Sequence, residues 1–255
     1  RASRLLVAVA VLSVCGFVGL AAEDPDAVFE RGTAAYMRGE NAADPEQARE
    51  HFREAAGTWS SLLPEEQSAN LHFNLGNAHY QLGEFGPAVL HYEKALAINP
   101  AHPEAAANLK FVREREDIPA DNRGWLERFA AILSIRTWSW SAAAAFWITL
   151  GAWFLPRFFS GPGLISRMLL FAGSLVLAAS VVALAGYHTL AARGVVLEDD
   201  APLRVAPAAE SEAGAFLQAG TAARVDRTHG GFFLIRTADG RSGWISSDRF
   251  GKIWD

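Results

Sequence analysis

Four polar and aromatic side chains recur at helical spacing between residues 73 and 81, and their types could hold a peptide. Residues three and four apart lie on one face of an α-helix, so these side chains would share a surface. An asparagine amide both donates and accepts hydrogen bonds, and a tyrosine joins a flat apolar ring to a polar hydroxyl. The four residues are Phe73, Asn77, Tyr80 and Gln81.

Catalytic and metal-binding patterns are absent from the sequence. It contains no Gly-x-Ser-x-Gly, no phosphate-binding glycine loop with lysine, and no paired-cysteine or His-Glu-x-x-His spacing. His72 and His79 are seven residues apart and Glu84 follows, but both histidines fall at core positions, which favours packing over metal binding. We expect no catalytic residue, no metal and no cofactor, and therefore a protein that is not an enzyme.

The composition argues against nucleic acid as a partner. The 255 residues carry a formal net charge of -5, and no Lys/Arg-rich stretch forms a basic stripe. The single cysteine, Cys15, lies in an apolar stretch, so we expect no disulfide framework. The length favours two small modules with connecting segments.

Two short helices are predicted between Phe73 and Pro100. Gly83 falls where a helix would end, and Pro87 falls in the first turn of the next helix, where its missing N–H costs nothing. The hairpin resembles the tetratricopeptide repeat, in which two antiparallel helices recur every 34 residues, and this period delimits residues 69–102. The residues that carry the resemblance, which we interpret as packing positions, are Leu75, Gly76, Ala88, Tyr92, Ala95 and Pro100.

A looser copy of the repeat precedes this hairpin, and one more helix follows it. The order of large and small residues from Phe29 to Ala55 repeats the pattern, and the helix after Pro103 ends near Pro119. We therefore predict a repeat domain over residues 23–120. Because about three repeats are usually needed for stability, we expect this short array to be stabilised by contact with a partner, a second copy of the chain or the membrane.

The resemblance gives the four side chains at helical spacing a role. In this repeat class the first helix lines a concave surface, which implies that they form a peptide-binding groove. The face carries no Lys or Arg of its own, which argues against an acidic chain end as the ligand.

Three apolar stretches predict export and membrane insertion. Residues 1–22 have the layout of a secretory signal peptide, with arginines before an apolar run and small residues at its end. Uncharged stretches at 137–156 and 168–192 are each long enough to span the lipid bilayer. The loop between them, 157–167, contains two arginines and no acid, which places it in the cytoplasm. We therefore predict a multi-pass protein of the cytoplasmic (inner) membrane, with both soluble parts on the periplasmic, extracytoplasmic side.

Residues 195–255 predict a small all-β module. Apolar runs alternate with turn signals, and Asp239-Gly240 predicts a tight hairpin. The segment resembles a bacterial SH3-like barrel. The residues singled out in it, whose aromatic and apolar side chains we interpret as core rather than ligand contacts, are Phe233, Gly243, Trp244 and Ile245.

The predicted fold class is multi-domain: α-helical tetratricopeptide repeats, a two-helix transmembrane hairpin and a small all-β SH3-like barrel. This order of parts resembles BatE-type proteins, the tetratricopeptide members of the Bat (Bacteroides aerotolerance) group. The resemblance implies a non-enzymatic envelope scaffold that assembles membrane proteins with von Willebrand A domains and works with a MoxR-type AAA+ ATPase. Two other functions stay open: a peptidoglycan-binding anchor, and an assembly or chaperone factor for exported proteins.

Overall fold

Three kinds of structure follow one another along the chain in the computed structural model, which describes residues 24–64, 66–119, 123–159 and 163–254. Within these residues a region of paired helices is followed by two long helices and an antiparallel β-sheet. The predicted succession of a helical repeat region and an all-β module is thereby confirmed. The predicted signal peptide, residues 1–22, lies outside the described residues.

Five helices form the repeat region. They are α1 Pro25–Asn41, α2 Pro45–Ser60, α3 Ala69–Leu82, α4 Phe85–Ile98 and α5 Pro103–Arg115. Asp24, Asp44 and Ser68 each accept a hydrogen bond from a backbone N–H in the first turn of the helix that follows, which satisfies groups that have no partner within the helix. Gly83, with φ of 78°, ends α3 in the left-handed conformation that glycine adopts without strain.

Aromatic side chains of the second helix in each pair pack against glycines of the first. A side-chain carbon on Gly76 would lie 2.6 Å from the ring of Tyr92, so only glycine allows this approach of α3 and α4. Gly32 and Trp59 make the corresponding contact between α1 and α2, where the distance would be 2.4 Å. Of the predicted packing positions, the structure buries Leu75, Gly76, Ala88, Tyr92 and Ala95 and leaves Pro100 half-buried.

Two long helices pack side by side in antiparallel order after the repeats. The helices of this part are α6 Trp125–Ala130, α7 Ile135–Phe154, α8 Pro156–Phe159 and α9 Leu164–Leu190. Gly173 lets α9 approach α7 closely, since a side-chain carbon there would lie 2.4 Å from Thr149 Oγ1. At the opposite end, the Tyr187 hydroxyl donates to the Leu133 carbonyl at 2.6 Å, which ties the end of α9 to the turn between α6 and α7.

One of the two long helices has the length and composition of a membrane span. Within the described residues α9 alone passes this test, with 27 residues and a mean hydropathy of 2.4. The predicted span at 137–156 corresponds to α7. Its four tryptophans, together with its serines and threonines, lower the mean hydropathy of this helix. The predicted span at 168–192 corresponds to α9, which begins earlier and takes Arg167 out of the predicted loop and into its first turn. Of the predicted two-span hairpin, the structure therefore bears out the pair of helices, and only one of the two has the length and hydropathy of a candidate span.

Seven antiparallel strands form the C-terminal sheet. They are β1 Arg193–Val196, β2 Ala201–Arg204, β3 Ala213–Leu217, β4 Ala222–His229, β5 Phe232–Thr237, β6 Ser242–Ser246 and β7 Phe250–Lys252. The strand order is β3-β2-β6-β5-β4-β1-β7. The turn between β5 and β6 contains Asp239-Gly240, as predicted, with Gly240 at φ of 88°. Residues buried together on the inner side of the sheet include Leu203, Ile235 and Ile245.

Helix α4 packs directly against the C-terminal sheet. A side-chain carbon on Gly86 would lie 2.2 Å from the carbonyl oxygen of Leu197, so α4 touches the backbone that follows β1. Val195 of β1 shares a buried cluster with Leu90 and Val112 of the repeat region. The sequence predicted that the short array of repeats is stabilised by contact with a partner, a second copy of the chain or the membrane. In the structure it is supported by the C-terminal sheet of its own chain, a contact that the sequence did not predict.

A buried cluster of charged side chains, here called the interface ion cluster, joins the repeats, α6 and the sheet. Glu93 of α4 is 2% exposed and accepts hydrogen bonds from Arg113, at 2.8 Å, and from Arg123. Burial by itself raises the pKa of the Glu93 carboxyl, but Arg123 and Arg113 outweigh it, so the pKa is lowered and the group stays charged. Arg193 of β1 also acts on Glu93 electrostatically and donates to Glu127 of α6 at 2.6 Å.

Replacement of Gly86 by alanine tests the docking of α4 on the sheet. Alanine is favoured over glycine within a helix by about 1 kcal/mol, but here its Cβ would meet the Leu197 backbone. We expect Gly86→Ala to lower the free energy of unfolding by about 1–3 kcal/mol, as overpacking does. Thermal and denaturant unfolding of the purified full chain measure the change.

Gly57 of α2 provides the matched control, because a side-chain carbon there meets nothing within 4 Å. Gly57→Ala should raise the free energy of unfolding by about 1 kcal/mol through helix propensity alone. A Gly86→Ala variant as stable as Gly57→Ala would show that α4 and the sheet are not in contact in solution.

Replacement of Glu93 by glutamine tests the interface ion cluster. The change leaves Arg113 and Arg123 without their buried carboxylate, which typically destabilises a protein by about 3–5 kcal/mol. The control is Glu54→Gln, which breaks an exposed pair with Arg38 and should cost less than about 1 kcal/mol. The shift in unfolding midpoint and the hydrogen exchange of β1 are measured for both; equal effects would refute the role given to the cluster.

Candidate peptide-binding site

Two neighbouring hollows lie along the side of the repeat region formed by α1, α3 and α5. One has a volume of about 210 Å³ and the other about 480 Å³. Of the four residues predicted to bind a peptide, Asn77, Tyr80 and Gln81 line the smaller hollow and Phe73 lines the larger. The structure thus brings the predicted residues onto one surface, here called the groove.

Asn77 is engaged by its own chain. Its side-chain oxygen accepts hydrogen bonds from the Tyr92 hydroxyl and from the Asn108 amide, both at 2.8 Å. Burial raises the pKa of the Tyr92 hydroxyl, which therefore stays protonated as the donor. The prediction that Asn77 offers both a donor and an acceptor to a peptide needs correction, because its acceptor is already used to join α3, α4 and α5.

Tyr80 holds the guanidinium group of Arg115, which brings a positive charge to the end of the groove. Its hydroxyl accepts a hydrogen bond from Arg115 Nη1 at 2.7 Å, and the guanidinium lies 6.0 Å from the rings of Tyr80 and Phe111. In the sequence, the absence of Lys and Arg from this face of α3 argued against an acidic ligand. The structure shows that α5 brings Arg115 to the groove, so a carboxylate could be held at that end.

Several groove residues escaped the sequence-based prediction, most of them because they come from parts of the chain other than α3. Tyr36 of α1 interacts with Gln81, and burial raises the pKa of the Tyr36 hydroxyl. Asn108 is found by extending the 34-residue period from Asn74, a signal that the sequence contains. The remaining polar or aromatic lining residues that were not predicted are Phe29, Asn70, Asn74, Asn99, His102, Glu104 and Phe111.

The histidines considered for metal binding form a packed stack between α3 and α4. His72 Nδ1 lies 3.0 Å from His91 Nδ1, and the rings of His79 and His91 are stacked 5.3 Å apart. His79 also contacts the carboxylate of Glu84 at 2.6 Å. In the described part of the chain no three His, Cys, Asp or Glu side chains are arranged to hold a metal ion.

The C-terminal sheet separates the aromatic residues that were predicted to share its core. Ile245 is fully buried and Phe233 packs at the edge of the core, its ring 5.9 Å from that of Phe250. Trp244 is only half-buried and lies on the opposite side of β6, since alternate residues of a strand face opposite ways. Its assignment to the core is wrong.

Trp244 lines a surface hollow of about 380 Å³ on the outer side of the sheet. Arg204 and Arg241 also line it, and the ring of His229 lies 6.3 Å from the indole in an edge-to-face arrangement. Gly243 beside Trp244 has no room for a side chain, which would lie 2.9 Å from the Arg204 carbonyl oxygen. This hollow is a second candidate binding surface.

The groove and the outer hollow are two candidate surfaces for binding other macromolecules. The family model of the tetratricopeptide repeat matches residues 69–102, and that of the bacterial SH3 domain matches residues 199–250. The chain matches no curated protein. Its two modules indicate a role in protein–protein interaction or in peptidoglycan binding.

Acid should destabilise the repeat region through His91. Burial, followed by the nearby His79, His72 and Lys94, lowers the pKa of His91 well below its usual value of 6.5. The unfolded chain therefore binds a proton in a pH range where the folded chain does not. We expect the free energy of unfolding to fall as the pH falls below about 6.5, by about 1.4 kcal/mol per pH unit for one such proton.

Unfolding midpoints of the full chain between pH 7.5 and 5.5 measure this dependence. His91→Gln should flatten it, because the variant lacks the imidazole of the stack whose pKa burial lowers in this way. His51→Gln is the control, since His51 lies on the outer side of α2 beside Glu54, and it should retain the wild-type dependence. A His91→Gln variant with an unchanged pH dependence would assign the effect to other groups.

Proposed function

We propose that the protein is a non-enzymatic, membrane-anchored scaffold that binds an extended segment of a protein partner in the groove of its repeats. The observation that carries the proposal is the alignment of the two hollows along α3. From Asn70 to Gln81 the helix rises about 16 Å. An extended peptide of about five residues covers the same distance.

The chemistry of the groove suits a peptide backbone. Extended peptides present N–H and C=O groups that must be hydrogen-bonded or hydrated, and side-chain amides supply both partners. Phe73 and Tyr80 add aromatic surface, and Arg115 supplies one positive charge at one end. The amide side chains along the groove are Asn70, Asn74, Gln81, Asn99 and Asn108.

Anchoring in the cytoplasmic membrane is the second part of the proposal. It is supported by the length and hydropathy of α9 and by the close packing of α7 beside it. The segment that enters this helix pair and the strand that leaves it meet at one end, where Glu127 and Arg193 pair. Repeats and sheet would then lie on the same side of the membrane, which the sequence favours as the periplasmic side.

We propose partners from the resemblance to BatE-type proteins: membrane proteins with von Willebrand A domains, acting with a MoxR-type AAA+ ATPase. Weak contacts suffice for such partners, because anchoring in one membrane raises the effective concentration of each binding surface.

Peptidoglycan binding by the C-terminal module is the competing function. It is favoured by the outer hollow, where the half-buried Trp244 offers an aromatic surface and Arg204 could pair with a carboxylate of a cell-wall peptide. Arg241, which also lines the hollow, is already paired with Asp239. A role as an assembly factor for exported proteins would use the same groove and differs only in the breadth of its partners.

Photo-crosslinking in intact cells separates these functions. A crosslinking residue replaces Gln81, which is exposed in the groove, or Ser242, which is exposed in the outer hollow. Glu50 on the outer side of α2 is the control position. We expect protein adducts at position 81 to exceed those at position 50 several-fold, with few membrane proteins dominating.

The pattern of adducts decides between the alternatives. Adducts at position 81 spread over many exported chains favour an assembly factor. Cell-wall adducts at position 242 with none at position 81 favour the peptidoglycan anchor and refute the groove as the binding site.

A further inference from the structure

Three arginines stand side by side across three neighbouring strands of the C-terminal sheet. Arg193 of β1 is the direct cross-strand partner of Arg224 in β4, and Arg224 is the direct partner of Arg236 in β5. We name this row the arginine ladder. Like charges in directly opposed positions destabilise a sheet, so such a row requires compensation by negative charge.

The chain supplies negative charge for two members of the ladder. Glu127 accepts from Arg193 at 2.6 Å, and Asp226 accepts from Arg236 at 2.7 Å. Across the described residues, by contrast, no carboxylate forms a salt bridge with Arg224, although its side chain is exposed and stands between the two other arginines. The ladder therefore holds one more positive charge than its own chain neutralises.

A cavity of about 370 Å³ opens beside the ladder. All three arginines line it, together with Trp125 and the Arg193-paired Glu127 of α6 and Thr189 in the last turn of α9. Guanidinium groups bind phosphate oxygens through paired, charge-assisted hydrogen bonds. The cavity thus presents the groups that recognise a phosphate ester.

The position of the cavity favours a lipid headgroup as the phosphate-bearing ligand. It lies at the end of α9, the helix with the composition of a membrane span. Trp125 is 70% exposed there, and Ile132 and Leu133 in the following turn are exposed as well. Exposed tryptophan and aliphatic side chains at the end of a span favour the interface between lipid tails and headgroups.

We propose that the arginine ladder binds the phosphate of an anionic phospholipid headgroup at the membrane surface. The inference rests on the membrane anchoring proposed above. Binding would fix the sheet, and through the interface ion cluster the repeats, at a defined height above the bilayer.

The test measures lipid selectivity of the full chain reconstituted in vesicles of phosphatidylcholine that contain spin-labelled phosphatidylglycerol or spin-labelled phosphatidylcholine. The fraction of motionally restricted label gives the relative association of each lipid with the protein. We expect the wild type to prefer phosphatidylglycerol and Arg224→Gln to lose about threefold in this preference, as expected for one phosphate contact. Arg224 pairs with no carboxylate among the residues that the structure describes and is opposed by two other arginines, so the variant should unfold at the wild-type midpoint or slightly above it.

Arg227→Gln is the matched control, because it removes the same charge from the same strand but its residue does not line the cavity. An unchanged preference in this variant supports the ladder. An equal loss in both variants assigns the selectivity to diffuse surface charge and overturns the proposal.

Two further outcomes distinguish a lipid phosphate from a free phosphate ion, and a failure of the membrane anchor from a failure of the arginine ladder. Arg224-dependent binding of inorganic phosphate by a protein without lipid preference would identify a site for a free anion and overturn the assignment to lipid. Failure of the chain to stay in carbonate-washed membranes would refute the membrane anchor itself. A chain that inserts normally but shows no preference refutes only the ladder.

Discussion

The buried charge of Glu93 is the constraint on which the arrangement of the parts depends. The Glu93 carboxylate is only 2% exposed, and a carboxylate so buried is tolerated only when it is paired. Its partners are Arg113 of α5 and Arg123, which precedes α6. Arg193 of β1 and Glu127 of α6 extend the same cluster. A displacement that separated Glu93 from its arginines would leave buried charges without partners, which is strongly destabilising. The cluster therefore fixes how repeats, helix pair and sheet are joined.

Local periodicity made much of the fold predictable. Gly83 and Pro87 mark the turn of the α3–α4 hairpin, and Asp239-Gly240 marks the β5–β6 turn, because such residues act through their own backbone conformation. Docking of α4 on the sheet was not predictable in this way, since Gly86 and Leu197 are far apart in sequence and nothing local links them. The exposure of Trp244, by contrast, was predictable from the sequence. Neighbouring residues of a strand face opposite sides of the sheet, so Trp244 and Ile245 cannot both face the buried side.

The sequence predicted only those residues of the candidate site that lie on one face of α3. Phe73, Asn77, Tyr80 and Gln81 follow from the 3.6-residue period of α3, which places them on one surface. The groove, however, is made by three helices, and its electrostatics are set by the others. Asn108 occupies the acceptor of Asn77, and Arg115 supplies the positive charge that α3 lacks. Such effects require knowledge of which helices are neighbours.

Docking on the sheet also explains how so short an array can keep its groove open. The sheet covers α4, through Gly86 and Leu90, whereas α1, α3 and α5 line the groove. The apolar surface that further repeats would normally bury is buried by the sheet instead, so stability does not require a partner in the groove. A preformed groove loses less conformational freedom on binding than one that must fold around its ligand. Because the sheet follows directly from α9, the groove is also held at a fixed place relative to the helix proposed as the anchor, which suits the capture of partners in the same membrane.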